Sequence, residues 1–168
     1  MKNEKFWRPL FFYTICFFFC LSRLNAQGGN SKINLQKIIF HSSGTTNYCP
    51  KIDLVVDSDR NIIVSREFYL KRSPVEKHYS GYFKGRVKKN YAQLIALLET
   101  FNPDSLKFPV GECYDGIMTT IIVYYNGQRK YFRSMLPPPE AEKIILFLNN
   151  LGVNTKLKKS KEVNNLEE

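Results

Sequence analysis

The sequence predicts one small α+β domain, a mainly antiparallel sheet of about six strands with two helices packed on it, in the order ββββ-α-ββ-α. Three observations carry that expectation. Ile52, Leu54 and Val56 alternate with Lys51, Asp53 and Val55 at the period of a half-buried strand, and the spacing turns helical from Tyr91 onward. Asn126-Gly127 joins two runs rich in β-branched and aromatic residues, the strongest short hairpin signature in the chain. A length of 168 residues favours a single domain.

The first segment reads as an export leader rather than as part of the fold. Lys2, Lys5 and Arg8 precede an apolar run from Pro9 to Leu21 that contains Phe11, Phe12, Phe17, Phe18 and Phe19. Leu24-Asn25-Ala26 then puts a small residue before Gln27, as signal-peptidase cleavage requires. The run is shorter than the roughly 20 apolar residues of a membrane-spanning helix. Lipidation at Cys20 fits less well, because bulky Phe17-Phe18-Phe19 stand before it. The expectation is therefore removal of residues 1–26, export to the periplasm or beyond, and no stable membrane span in the mature protein.

Residues 27–32 form a polar linker, and residues 33–155 the domain. Ile38-Ile39-Phe40 marks strand one, within Lys32 to His41. Ser42 to Tyr48 is loop by composition, and Cys49-Pro50 opens strand two. Asp57-Ser58-Asp59-Arg60-Asn61 turns the chain into strand three, Ile62 to Leu70, with Ile62, Val64, Phe68 and Leu70 on one face. Tyr79 to Val87 is strand four, and Gly81 and Gly85 inside it mark a bulge or a close backbone approach.

Tyr91, Leu94, Ile95, Leu98 and Phe101 form the apolar stripe of the first helix, which Asn102-Pro103 ends. An irregular crossing, Asp104 to Asp115, leads to strand five, Met118 to Tyr125, and after the hairpin to strand six, Arg129 to Met135. Strand five is apolar or aromatic on both faces. Either the sheet curls over it, or an aromatic face around Tyr124 and Tyr131 stays open to a partner. Pro137-Pro138-Pro139 leads into the second helix, whose buried face is Ala141, Ile144, Ile145, Leu148 and Leu151, with Gly152 as its stop. Residues 156–168 read as a charged, disordered tail.

Charge narrows the class of partner. Of 25 basic and 15 acidic side chains, four (Lys2, Lys5, Arg8, Arg23) and one (Glu4) lie in residues 1–26, leaving 21 against 14 and a net charge of +7. Such an excess attracts anionic lipid, acidic polysaccharide or nucleic acid, and export removes nucleic acid from that set. Lys84, Arg86 and Lys88, with Lys89, cluster beside Tyr82 and Phe83. Solvated surface and an acidic ligand are both open readings of that cluster.

Cys16 and Cys20 leave with the leader. Cys49 and Cys113 remain, and in an exported chain they most simply pair with each other. Such a bridge closes a long loop and stabilises by about 4 kcal/mol on the chain-entropy account. Two separate buried thiols are the alternative.

Four groups of residues resemble a known family. They are His41-Ser42-Ser43-Gly44 with Cys49-Pro50; Ser80-Gly81-Tyr82-Phe83-Lys84-Gly85; Leu106-Lys107-Phe108-Pro109 with Cys113-Tyr114-Asp115 and Thr119-Thr120; and Tyr124-Tyr125-Asn126-Gly127 with Lys130-Tyr131-Phe132 and Ser134-Met135. Over about residues 33–155 the chain resembles the bacterial domain of unknown function 6438 family. The resemblance implies no activity that transfers. It implies a first loop of the form Gly-Cys-x-Gly-x-Cys-Pro, in which Thr45 and Asn47 here replace the first cysteine and the second glycine. It also implies a second bridge in relatives that this chain lacks, with Cys49–Cys113 as the one retained.

Catalytic and metal chemistry find little support. No Gly-x-Ser-x-Gly elbow occurs. Cys49 with His41 or His78 as base has the right residue types, but an exported Cys-Pro at a strand start suits a bridge better. Two distant histidines make no ligand set. Asp57-x-Asp59-x-Asn61 mimics the start of a calcium loop, yet Ile62 and Phe68 stand where glycine and glutamate belong. Glu112 and Asp115 share one loop with no sign of the separation glycoside hydrolysis needs, and Asp115 suits the capping of backbone amides. No metal or cofactor is expected. The preferred expectation is a non-enzymatic module that binds an envelope or extracellular component, through Tyr82, Lys84, Arg86, Lys88, Asp115, Tyr124 or Tyr131. The alternative is a thiol-redox or hydrolytic enzyme centred on Cys49 and Cys113.

Overall fold

The computed structural model describes residues 33–44, 50–68, 80–109, 116–154 and 156–161. Contacts divide the chain into Met1–Lys32 and Ile33–Glu168, and every described residue belongs to the second unit. The expected leader and linker, Cys49, Cys113 and Asp115 lie outside the described residues.

The elements are β1 (Leu35–Ser42), β2 (Lys51–Asp57), β3 (Asn61–Glu67), β4 (Gly81–Arg86), α1 (Tyr91–Phe101), β5 (Thr119–Tyr125), β6 (Gln128–Ser134), a single 3-10 turn (Pro139–Ala141), α2 (Glu142–Asn154) and β7 (Lys158–Ser160). The strands form one antiparallel sheet in the order β6-β5-β1-β2-β3-β4-β7. The α+β class and the ββββ-α-ββ-α order stand, with one strand added.

That seventh strand lies inside the segment expected to be a disordered tail. Lys158–Ser160 pair with β4, Tyr82 opposite Ser160 and Lys84 opposite Lys158. The sheet would otherwise end at β4 with a row of open backbone donors and acceptors. Leu157 anchors the strand. Gly85 leaves it room, since a Cβ there would stand 2.6 Å from Leu157 Cδ2.

One face of the sheet carries the core. Ile38 and Phe40, Ile52, Leu54 and Val56, Ile62 and Val64, and Ile121 and Val123 point to it and are buried. Against them pack Leu94, Leu98 and Phe101 of α1, with Ala141, Ile144, Leu148 and Leu151 at α2 and its leading turn. Each fully buried Leu or Phe contributes roughly 1.5–3 kcal/mol over its exposed state. Phe132 of β6 meets Phe101 edge-on at 5.2 Å, which ties the end of α1 to the sheet.

Local chemistry explains the connections. Asn126 and Gly127 have φ values of 50° and 74°, the left-handed pair a two-residue hairpin demands. The Asn126 Oδ1 also accepts from the Asn34 N–H at 2.9 Å, pinning the hairpin to the start of β1. Both Asp57 carboxylate oxygens accept from Asn61, through its N–H and its Nδ2, so the Asp57–Asn61 run is a turn closed on itself. Asn102 ends α1 in the left-handed region (φ 46°), its N–H donating to Leu98 O at 3.0 Å.

Gly152 is not the stop of α2, which runs on to Asn154. It is a contact residue. A Cβ there would stand 2.7 Å from Ile52 Cγ2, so glycine lets α2 approach β2. The helix end is held instead by Arg66 of β3, which occupies the core face in step with Ile62 and Val64 and is 5% exposed. Its Nη1 donates to Gly152 O and Val153 O, each at 2.8 Å, and its guanidinium lies 4.1 Å over the Phe83 ring.

The opposite face is built in three rows. At one end Arg133, Thr120, His41, Asp53, Ser65 and Tyr82 follow one another across six strands. The middle row is Tyr131, Ile122, Ile39, Val55, Ile63 and Lys84. The far row includes Arg129, Tyr124 and Lys37, with the Lys37 ammonium 4.5 Å over the Tyr124 ring. β5 is the second strand from the edge rather than the centre. Its Ile122 is fully buried, Tyr124 half-buried, and Tyr131 on β6 exposed.

Candidate functional site

An open groove of about 750 Å³ lies where the end of β4, the start of α1, one side of α2 and the approach to β7 meet. Its charge follows from the turn chemistry. β4 stops at Arg86, and Lys88 to Asn90 turn the chain into α1, leaving Lys88 and Lys89 exposed. From the other side the chain leaving α2 brings Lys156 and Leu157 across to β7. Arg86, Lys88, Lys89 and Lys156 thus line one groove, and no carboxylate lines it among the described residues. The first turn of α1 also lacks an acidic residue, so the positive end of its dipole adds to the same field.

The rest of the lining is mixed in a useful way. Asn90, Gln93 and Asn150 supply amides that donate and accept. Phe147 and Leu157, both half-buried, supply apolar surface between the cations. Arg86 is steadied by its Nε donating to Asn61 Oδ1 at 3.3 Å.

The residues expected to form a binding surface fall into separate places. Arg86 and Lys88 meet in the groove. Lys84 and Tyr82 share the sheet face of Arg86 on β4 but lie beside β7 and do not line the groove. Tyr124 and Tyr131 lie on β5 and β6. Four strand steps, roughly 19 Å at about 4.8 Å each, separate β5 from β4, so the basic cluster and the tyrosines form no single site. Sequence reasoning missed Phe147, Asn150, Lys156 and Leu157 as groove walls. The available signal was Leu157, the one apolar residue in a lysine-rich stretch.

A second, smaller cavity of about 220 Å³ opens at the polar end of the opposite sheet face. His41 Nδ1 and Asp53 Oδ1 meet there at 2.9 Å across β1 and β2. Lys51 Nζ approaches the other Asp53 oxygen at 4.0 Å. Strand register, invisible in the sequence, makes this pair. Among the described residues no group of three or more His, Cys, Asp or Glu is placed to hold a metal ion. Among them too, no helix is long and apolar enough to cross a membrane.

No family model, curated protein or solved structure matches the chain.

Proposed function

We propose that the protein is an exported, non-enzymatic binding module whose ligand is an acidic polysaccharide of the bacterial envelope or its surroundings. One observation carries the reading: four cations line a single groove that no described carboxylate neutralises. Clefts of one sign concentrate oppositely charged ligands. The amides of Asn90, Gln93 and Asn150 suit sugar hydroxyls, and Phe147 offers a ring for the apolar face of a pyranose. The leader-like residues 1–26, the Cys49–Cys113 bridge and the likeness to the domain of unknown function 6438 family belong to the same proposal.

The test is calorimetric titration of the purified protein with polygalacturonate, using neutral dextran as control, at low and physiological salt. Polygalacturonate binds, salt weakens it, and Lys88→Glu with Lys156→Glu weakens it by about tenfold or more, the loss of two favourable contacts and the gain of two repulsive ones. Equal binding of dextran, or an unchanged affinity in the double variant, refutes the reading. Titration of thiols in native protein tests the bridge, and two freely reactive thiols would sink that part.

A further inference from the structure

The second cavity lies far from the groove and asks for a different ligand. Its wall is a polar row contributed by four neighbouring strands, Arg133 from β6, Thr120 from β5, His41 from β1 and Asp53 from β2. Lys51 and Tyr131 complete the rim, and Met118 adds an apolar side. The His41–Asp53 contact fixes both side chains, which are only 17% and 22% exposed. Arg133, by contrast, makes no ion pair among the described residues. From this arrangement we infer that the cavity is a binding site for a small monocarboxylate, with Arg133 clasping the carboxylate and Tyr131 and Met118 flanking its apolar body.

Charge, size and lining decide the class of ligand. Lys51 and Arg133 against Asp53 leave one net positive charge when His41 is neutral, which a monoanion balances. A dianion would place an uncompensated charge beside Asp53. A guanidinium offers two parallel N–H donors that match a carboxylate. About 220 Å³ is below the range of drug-sized sites and admits a compact molecule only. Half-buried Met118 and the exposed Tyr131 ring make an apolar body preferable to a bare anion.

Benzoate, its neutral counterpart benzamide, and inorganic phosphate serve as probes, followed by NMR on the purified protein. Benzoate shifts the Met118 methyl and the Tyr131 and His41 ring signals in a saturable way, while benzamide and phosphate do so far more weakly. Arg133→Gln, an exposed position whose change leaves the amide spectrum intact, weakens benzoate by about tenfold, the loss of one charge-assisted contact. Lys88→Glu, in the groove, leaves benzoate binding unchanged. Equal shifts with benzamide, a response to phosphate but not benzoate, wild-type affinity in Arg133→Gln, or loss of benzoate binding in Lys88→Glu would each overturn the assignment. Polygalacturonate binding responds to Lys88 and not to Arg133, so the two sites fail independently.

Discussion

Replacing Arg66 with methionine removes the two bonds that close the C-terminal end of α2. The Nη1 donates to two carbonyls at 2.8 Å, and a charged donor makes each bond contribute about 1.5–3 kcal/mol. Methionine keeps the apolar stem against Phe83, but the stacked cation, about 0.5–2 kcal/mol, goes with the guanidinium. Val153 is only half-buried, so water regains part of the loss at its carbonyl. Gly152 is buried, and its carbonyl is left without that donor. The balance is a destabilisation of about 2–4 kcal/mol, or roughly 5–15 °C in melting temperature for a domain of this size. Swapping a buried ion pair for apolar residues can be neutral because both charges leave together. Here the acceptors are backbone and stay. Urea unfolding followed by circular dichroism, with an unchanged dependence on denaturant, measures the effect. A methionine variant within about 0.5 kcal/mol of wild type would show that the helix end is solvated and that Arg66 does not hold it.

Gly152→Ala sets a helix-propensity gain of about 1 kcal/mol against overpacking of about 1–3 kcal/mol. The clash is with Ile52 Cγ2, a branch on a stiff χ1 in a side chain 1% exposed, so the steric cost wins and thermal melting shows net destabilisation. Tyr125→Phe removes the 2.7 Å hydroxyl bond to Asp104 and costs about 1 kcal/mol near neutral pH. That hydroxyl first, then Lys130, holds the Asp104 carboxyl below its ordinary range, so its contribution is present above about pH 4 and fades as the pH falls through the depressed value. Wild type and Tyr125→Phe therefore converge in stability in acid, and carboxyl NMR shows Asp104 titrating at higher pH in the variant. Burial, then Asp104, push the Tyr125 hydroxyl up, so its contribution is whole below about pH 10 and is lost as the pH rises through the raised value.

What could be read from the sequence and what could not divide along physical lines. Ile52, Leu54 and Val56, the Tyr91–Phe101 stripe and Asn126-Gly127 are local signals, each set by period or by backbone dihedral, and each holds in the structure. Arg66 is not legible as a core residue, because a charge at that position contradicts the strand pattern. The arrival of the α2 carbonyls, 86 and 87 residues away, helps make that position favourable. Gly152 looks like a stop in the sequence because glycine commonly ends helices, whereas its use here depends on how near β2 lies. Both candidate sites share that dependence on distant strand order. Composition revealed the Lys84–Lys89 cluster, but Lys84 and Arg86 share one sheet face while Lys88 belongs to the turn. Lys156 joins Arg86 and Lys88 only because Leu157 docks at Gly85 and β7 completes the edge. His41 and Asp53 are twelve residues apart and meet because the β1–β2 register sets Cα partners opposite one another. A one-residue slip of that register would turn Asp53 onto the helix-covered face, bury an unpaired carboxylate and expose Ile52 and Leu54. The apolar residues that lock the core thus also fix the polar row, and the small cavity inherits its geometry from the packing on the other side of the sheet.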